Sequence, residues 1–330
     1  MPANVDYYMG RLPAWHNLGD VVGQYFSTKE ILSNPRLNFT VEKRQLEYAS
    51  VPIDAWGVFR TDNNNFLGTV GAGYECIQHM EGFEFLDILL GEVNGAHFET
   101  AGVLGRGETI WGLVDLGVKS GIRNTKDETE TYLLFKTGHI GNFKYTFAGC
   151  RTRVVCQNTL LAAIAENRAT FTIKHTKNYR DVMEQARSLI QDFKDSVLTI
   201  DEKMNFLAGR VIDKDNMINI LDELFPADSE GNRSTRSKHN IEKILNLYES
   251  NDSNAIPEIR GTAYNLLNAC TEYTDHFRSV KGNTAISRAE SAMFGSGNDF
   301  KLRAMDIIMA EAENMKSIWT PTVAVVQMQA

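Results

Sequence analysis

The chain carries two apolar periods, and they change over near its middle. In the first half the period is two. "NFTVEKRQLEY" alternates before a turn, and "AWGVFRTDNNNFLGTVG" holds two apolar runs joined by "TDNNN", the residue types of a hairpin connection. "HFETAGVLGRGETIWGLVDLG" reads as a second hairpin turning at Gly105 to Gly107, and "ETYLLFKTGHIGNFKYTFAGCRTRVVC" as a third turning around Gly138 to Gly141. Between the first two, "MEGFEFLDILLGEV" sets Phe83, Leu86, Leu89 and Leu90 at helical spacing. After Cys156, "NTLLAAIAEN" opens on Asn158, a good helix cap, and "ATFTIKHT" returns to strand. Beyond about Asn178 every apolar run is helical: "RDVMEQARSLIQDFKDSVL", "DKDNMINILDELFP", "NIEKILNLYES", "RGTAYNLLNACTEYTDHFR" and "DFKLRAMDIIMAEAENM".

The pattern predicts an α+β fold, an antiparallel hairpin-rich sheet with packed helices followed by a helical C-terminal region. The expected division is 1–178 for the sheet domain and 179–330 for the helices packed on it, with a mobile loop near 226–239 in "PADSEGNRSTRSKHN". The chain has 330 residues, enough for one large domain or two of ordinary size. It holds no apolar run of about 18 residues, so no ordinary membrane-spanning helix is predicted. "MPANVDYYMGRLPAWHNLG" lacks the charged leader and apolar run of a secretory signal. Four scattered cysteines suit free thiols in a reducing cytoplasm.

Charge changes this picture. The net charge is −8, yet Thr131 to Arg180 carries eight bases, Lys136, Lys144, Arg151, Arg153, Arg168, Lys174, Lys177 and Arg180, against Glu166 alone. Such asymmetry points to an anionic partner. If "NFKYTFAGCRTRVV" runs as one unbroken strand, Phe143, Tyr145, Phe147, Arg151 and Arg153 share a face, and aromatic planes beside guanidinium groups suit single-stranded nucleic acid. In the alternative, which we prefer, the aromatics fill the core and Gly149 marks a bulge that turns the arginines outward. Arg168 reads as a surface residue after the "NTLLAAIAEN" helix.

Other chemistries find less support. Gly71 and Gly73 in "GTVGAGYEC" lack the third glycine and the βαβ setting of a dinucleotide loop, and no phosphate-binding loop of the Walker type occurs. Cys150 and Cys156 are too far apart on a strand to form a metal pair, so no metal and no cofactor are expected. Cys156, placed before a helix N-terminus, is a candidate nucleophile with His139 or His175 as base and Gln157 or Asn158 as oxyanion donor. The competing reading makes Cys156 a small buried residue and Asn158 a plain cap. Trp15 and His16 in "PAWHNLG" read as a buried plug.

Several segments together, "RLPAWHNLG", "GTVGAGYECIQHMEGFEFLD", "FETAG", "RVVCQNTL", "IKHT", "AYNLLNACTEYTDHFR" and "SRAESAMFGSGNDFKLRAMDI", resemble the phage/plasmid-related proteins of domain of unknown function 932. The resemblance implies a mobile-element protein in the cytoplasm of a bacterial host and supplies no catalytic assignment. The expected function is non-enzymatic binding of single-stranded DNA in replication or recombination, by a homo-oligomer. The expected contacts are Lys136, Lys144, Arg151, Arg153, Lys174, Lys177 and Arg180, with Tyr145 and Tyr179 as stacking partners. Two alternatives stay open: a counter-defence protein that binds a host factor through its acidic helices, and a cysteine-dependent enzyme.

Overall fold

The computed structural model describes residues 5–10, 27–92, 96–123, 125–140, 144–153, 159–161, 170–174, 189–250, 257–282, 287–288, 291–292 and 295–318. It has the expected α+β architecture, with antiparallel sheets in the N-terminal half and helices beyond.

The larger sheet is built from hairpins. β5 (His97–Leu104) pairs with β6 (Thr109–Gly121), β6 with β7 (Glu128–Gly138), and β7 with β8 (Lys144–Arg153). β1 (Val5–Gly10) closes one side on β5. On the other side two short strands share the edge of β8. β10 (Thr170–Lys174) pairs along residues 144–148, and β9 (Thr159–Leu161) along residues 150–152. β9 corrects one expectation: "NTLLAAIAEN" was expected to start a capped helix, and its Thr159–Leu161 is a strand instead. The exposed ladder edge of β8 offers hydrogen bonds that outweigh a local helical pattern.

A second correction concerns the bulge expected at Gly149. The β7–β8 ladder runs without a break from Thr129–Arg153 to Lys136–Thr146, with Gly149 opposite Leu133. The bulge lies on β6 instead, between Asp115 and Val118, where Gly117 takes φ 66° and its N–H donates to Asp115 Oδ1 at 2.7 Å. Because β8 is unbroken, strand alternation keeps positions 145, 147, 151 and 153 on one face, although Tyr145 and Phe147 are core residues.

That face is covered by α2 (His79–Glu92) and by a small sheet of β2 (Val41–Tyr48), β3 (Val51–Arg60) and β4 (Phe66–Val70). α2 approaches closely because Gly82 has no side chain. A Cβ there would meet Phe135 at 2.2 Å and Tyr145 at 2.6 Å. Phe83 then packs edge-on to Phe98 and Phe135, with ring centroids 5.9 and 5.2 Å away. The β2–β3 ribbon runs past β4, and residues 47–54 are exposed.

A second core is helical. α1 (Thr28–Ile31) is a single turn beside α2, while α3 (Leu189–Ala208), α4 (Lys214–Leu224), α5 (Thr235–Ser250), α6 (Ala263–Glu272) and α7 (Ser296–Ala312) enclose Leu207, Ile220, Ile244, Leu266 and Ile308. A short pair, β11 (Arg210–Val211) and β12 (Lys316–Ser317), ties the segment after α3 to the segment after α7. The segment expected to be a mobile loop is partly helix, because α5 begins at Thr235. Before it, Asp228 Oδ1 accepts the N–H groups of Glu230 and Asn232, and Arg233 Nε donates to the Phe225 carbonyl at 2.8 Å.

Under the small sheet lies a buried histidine pair. His79 Nδ1 is 3.2 Å from His139 Nε2, and His79 Nε2 is 2.6 Å from the Leu37 carbonyl, so that nitrogen carries the proton. Burial pushes the His79 imidazole down to about 4, and Arg60 adds to the shift while the Leu37 carbonyl opposes it. A histidine whose folded value lies below its unfolded one stabilises the fold above its unfolded value, about 6.5, and that stability is lost as pH falls toward 4. Denaturant melts of the wild type between about pH 7 and about pH 4.5 should show a loss, and His79→Gln should lose about 2 kcal/mol less over the same range. Equal losses in the two proteins would show that His79 is not the titrating group.

Candidate nucleic-acid interface

The register of the larger sheet decides which basic residues meet. Lys144 is exposed, and Lys174 is its direct cross-strand partner. Lys136 pairs with Thr146, one step along the same strand face, so it is diagonal to Lys144. The three lysine positions therefore gather at one end of the sheet, beside the β7–β8 turn, on the face opposite α2. Like charges directly opposite each other on a ladder are destabilising, so folding alone gives no reason for Lys144 to face Lys174.

The arginines are elsewhere. Arg151 lies opposite Thr131 and Arg153 opposite Thr129, on the α2 face and toward the far end of the strands. Seven residues of strand separate Lys144 from Arg151, about 23 Å at about 3.3 Å per residue. The two groups of positions therefore lie at opposite ends of β8 and on opposite faces. Tyr145, expected to stack on a base, is fully buried, and its hydroxyl donates to the Gln78 carbonyl. It is a core residue and is withdrawn from the interface. Lys177, Arg180, Tyr179, Arg168, Cys156 and His175 lie outside the described residues. His139 is buried against His79 and Phe39.

The sheet's other face carries a polar row that sequence reasoning missed. His97, Asp115, Tyr132 and Cys150 are successive cross-strand partners on β5, β6, β7 and β8, and all four are buried. Tyr132 donates its hydroxyl to Glu130 at 2.7 Å, and Glu130 takes Lys119 at 2.7 Å from the other side. Burial holds the Tyr132 phenol far above its ordinary value, and the nearby Glu99 carboxylate pushes it further.

Helices meet this row through Lys301. Its ammonium sits 2.7 Å from Asp275 Oδ1, with side-chain exposures of 1% and 2%. Lys301 also lies close enough to Cys150 to favour its thiolate, but burial dominates and keeps that thiol well above the ordinary range. Burial likewise pushes Cys270 up to about 12 and Cys76 up to about 11. All three thiols stay protonated at neutral pH and are poor nucleophiles. Among the described residues no group of three histidine, cysteine or acidic side chains could hold a metal ion. No described helix is long and apolar enough to cross a membrane.

One signal in the sequence could have revealed this seam. Asn265, Asn268, Glu272 and Asp275 recur at spacings of three, four and three in "AYNLLNACTEYTDHF", a polar stripe on a helix whose ten residues are all buried. The helix ends in a π-turn at Tyr273–Phe277, which carries Asp275 to Lys301.

The site is thus a hairpin-built antiparallel sheet with a lysine-bearing end, beside a helical unit that buries its own Lys301–Asp275 pair near Cys150. The chain belongs to the family described as a domain of unknown function, DUF932, whose model matches residues 66–293. No curated protein and no solved structure matches it.

Lys301→Met should cost about 3–5 kcal/mol in a denaturant melt, because it leaves Asp275 charged and buried. Lys301→Met with Asp275→Leu should be no less stable than the single variant. A single variant as stable as the wild type would contradict the burial of this pair.

Proposed function

We propose that this protein binds single-stranded DNA without catalysing a reaction on it, in the replication or recombination of a phage or plasmid within its bacterial host. The observation that carries the reading is the meeting of Lys136, Lys144 and the Lys174 position at one end of the larger sheet. A like-charge cluster at this register has a use if phosphates lie over it. The resemblance to phage- and plasmid-related proteins supplies the setting. Assembly into a homo-oligomer would repeat the cluster along a strand.

A second reading, contact with a host protein, has its own observation. On the β2–β3 ribbon, Tyr48 and Val51 are cross-strand partners exposed to 78% and 62%, and the turn between them is closed by Ala49 and Ser50, both at positive φ. No lysine or arginine occurs from Gln45 to Phe59, while Glu47 and Asp54 do. An apolar, acidic tip suits a protein surface and repels a polyanion.

Titration of a labelled oligothymidylate at two salt concentrations tests the main reading. Binding should weaken as salt rises. Lys136→Ala, Lys144→Ala and Lys174→Ala together should lower the salt slope by about 2, at about 0.7 per phosphate contact on a single strand. Absence of binding at low salt, or a triple variant with the wild-type slope, would overturn the proposal.

A further inference from the structure

The acidic helical half holds a second set of cations, and here one of them touches an exposed ring. Arg236 and Lys243 are seven residues apart on α5, two turns along one helix face. Lys243 Nζ lies 3.8 Å from the centroid of the Phe277 ring, a cation–π contact, and Phe277 remains 46% exposed. Arg278 follows Phe277 directly. Its guanidinium donates to Ser296 Oγ at 3.1 Å and lies over the Phe300 ring.

Arg236 and Arg278 are both within electrostatic reach of Tyr273. Both act on the Tyr273 phenol, and Arg236 helps to hold the Arg278 guanidinium below its ordinary value, where burial is the main cause. No carboxylate among the described residues is in ion-pair contact with Arg236, Lys243 or Arg278. Asp299 acts on Arg278 only from beyond that distance.

The backbone that presents Phe277 is fixed. The Arg278 N–H donates to the Tyr273 carbonyl at 2.7 Å, which closes the π-turn. Arg288 Nη1 donates to the carbonyls of His276 and Arg278 at 3.1 and 2.9 Å. An ammonium therefore lies over an exposed aromatic ring on a rigid turn, with Arg278 next to that ring in sequence and Arg236 two helical turns from Lys243 on α5. Packing of the helical core has no need of such an arrangement, because Arg236 is exposed and bonded to no described side chain.

We infer that Arg236, Lys243, Phe277 and Arg278 form a second binding site for single-stranded nucleic acid, in which the cations take phosphates and Phe277 takes a base. This deepens the reading proposed above, on which the identity of the ligand rests, but it uses none of the sheet lysines. Aromatic stacking tolerates any base, so the site selects for unpaired strand rather than for sequence. A chain with two separate contacts on one strand binds more tightly than either contact alone, to the extent that the strand spans both.

The test uses the full chain, a labelled oligothymidylate and an abasic strand of the same length. The variants are Arg236→Ala with Phe277→Ala, and separately Lys136→Ala with Lys144→Ala; circular dichroism and thermal melts establish that each is folded. Wild type should prefer the thymidylate over the abasic strand by about tenfold, the worth of one stacked base. The Arg236/Phe277 variant should bind thymidylate about tenfold more weakly and lose that preference, and Phe277→Trp alone should retain it. If the Arg236/Phe277 variant binds as the wild type does while the lysine variant is weakened, the inference falls and the sheet interface stands. If only the Arg236/Phe277 variant is weakened, the helical site stands and the sheet assignment falls. A wild type that binds neither strand overturns both.

Discussion

The ladder between β7 and β8 is the constraint on which the rest of the molecule depends. Side chains alternate strictly along a strand, so one slip in register would send every residue of β8 to the other face. The unbroken pairing from Thr129–Arg153 to Lys136–Thr146 puts Leu133, Phe135, Tyr145 and Phe147 under α2. It also puts Tyr132 and Cys150 on the opposite face, where Lys301 reaches the sheet. Gly82 and the β6 bulge serve this register. The first lets α2 descend onto Phe135 and Tyr145, and the second absorbs the extra residues of β6 without disturbing β7.

Where the two halves join, polar groups add to the apolar contact that Ile122, beside the end of β6, makes with the helical core. Ser120 donates to Asp201 at 2.7 Å, the Arg123 N–H donates to Asn205 at 2.9 Å, and Lys301 and Asp275 pair beside Cys150. Each of these is directional, whereas apolar contact is not. An ion pair this deeply buried gains little net stability over a hydrophobic substitute of equal volume. What it does impose is one arrangement of α7 against the π-turn, because sliding one past the other would strand a charge away from water. The polar stripe on α6 works in the same way. Asn265 Nδ2 donates to the Tyr248 carbonyl at 3.1 Å, so the stripe fixes α6 against α5 as well as delivering Asp275 to Lys301.

The hairpins were legible in the sequence because their turns carry residues with local preferences, such as "TDNNN" and "GRG", and because alternation is a short-range signal. α2 was legible for the same reason. "NTLLAAIAEN" misled because its apolar spacing and Asn158 are local, while the vacant edge of β8 beside Cys150 is not. Gly149 misled in a similar way: a glycine permits a bulge, but only the neighbouring strand decides where one is placed. The proposed interface was half legible. Lys136, Lys144 and Lys174 stood out as a charge run, but their grouping apart from Arg151 and Arg153 is a product of strand alternation and length. The helical cluster was not legible at all. Lys243 meets Phe277 between α5 and the π-turn after α6, inside a stretch whose acidic composition conceals it.

Both cationic groupings lie in a molecule of net charge −8, and that contrast bears on their meaning. In a chain rich in carboxylates, an arginine or lysine can readily find a partner, as Arg60 does with Asp62 and Lys119 with Glu130. Lys243 instead lies over the Phe277 ring, which is left half open. Exposed like charges gain nothing from proximity, and the cost grows as the ionic strength falls. A polyanion reverses the sign of that term. If the proposed function holds, the acidic remainder of the described surface would disfavour the strand away from these two groupings.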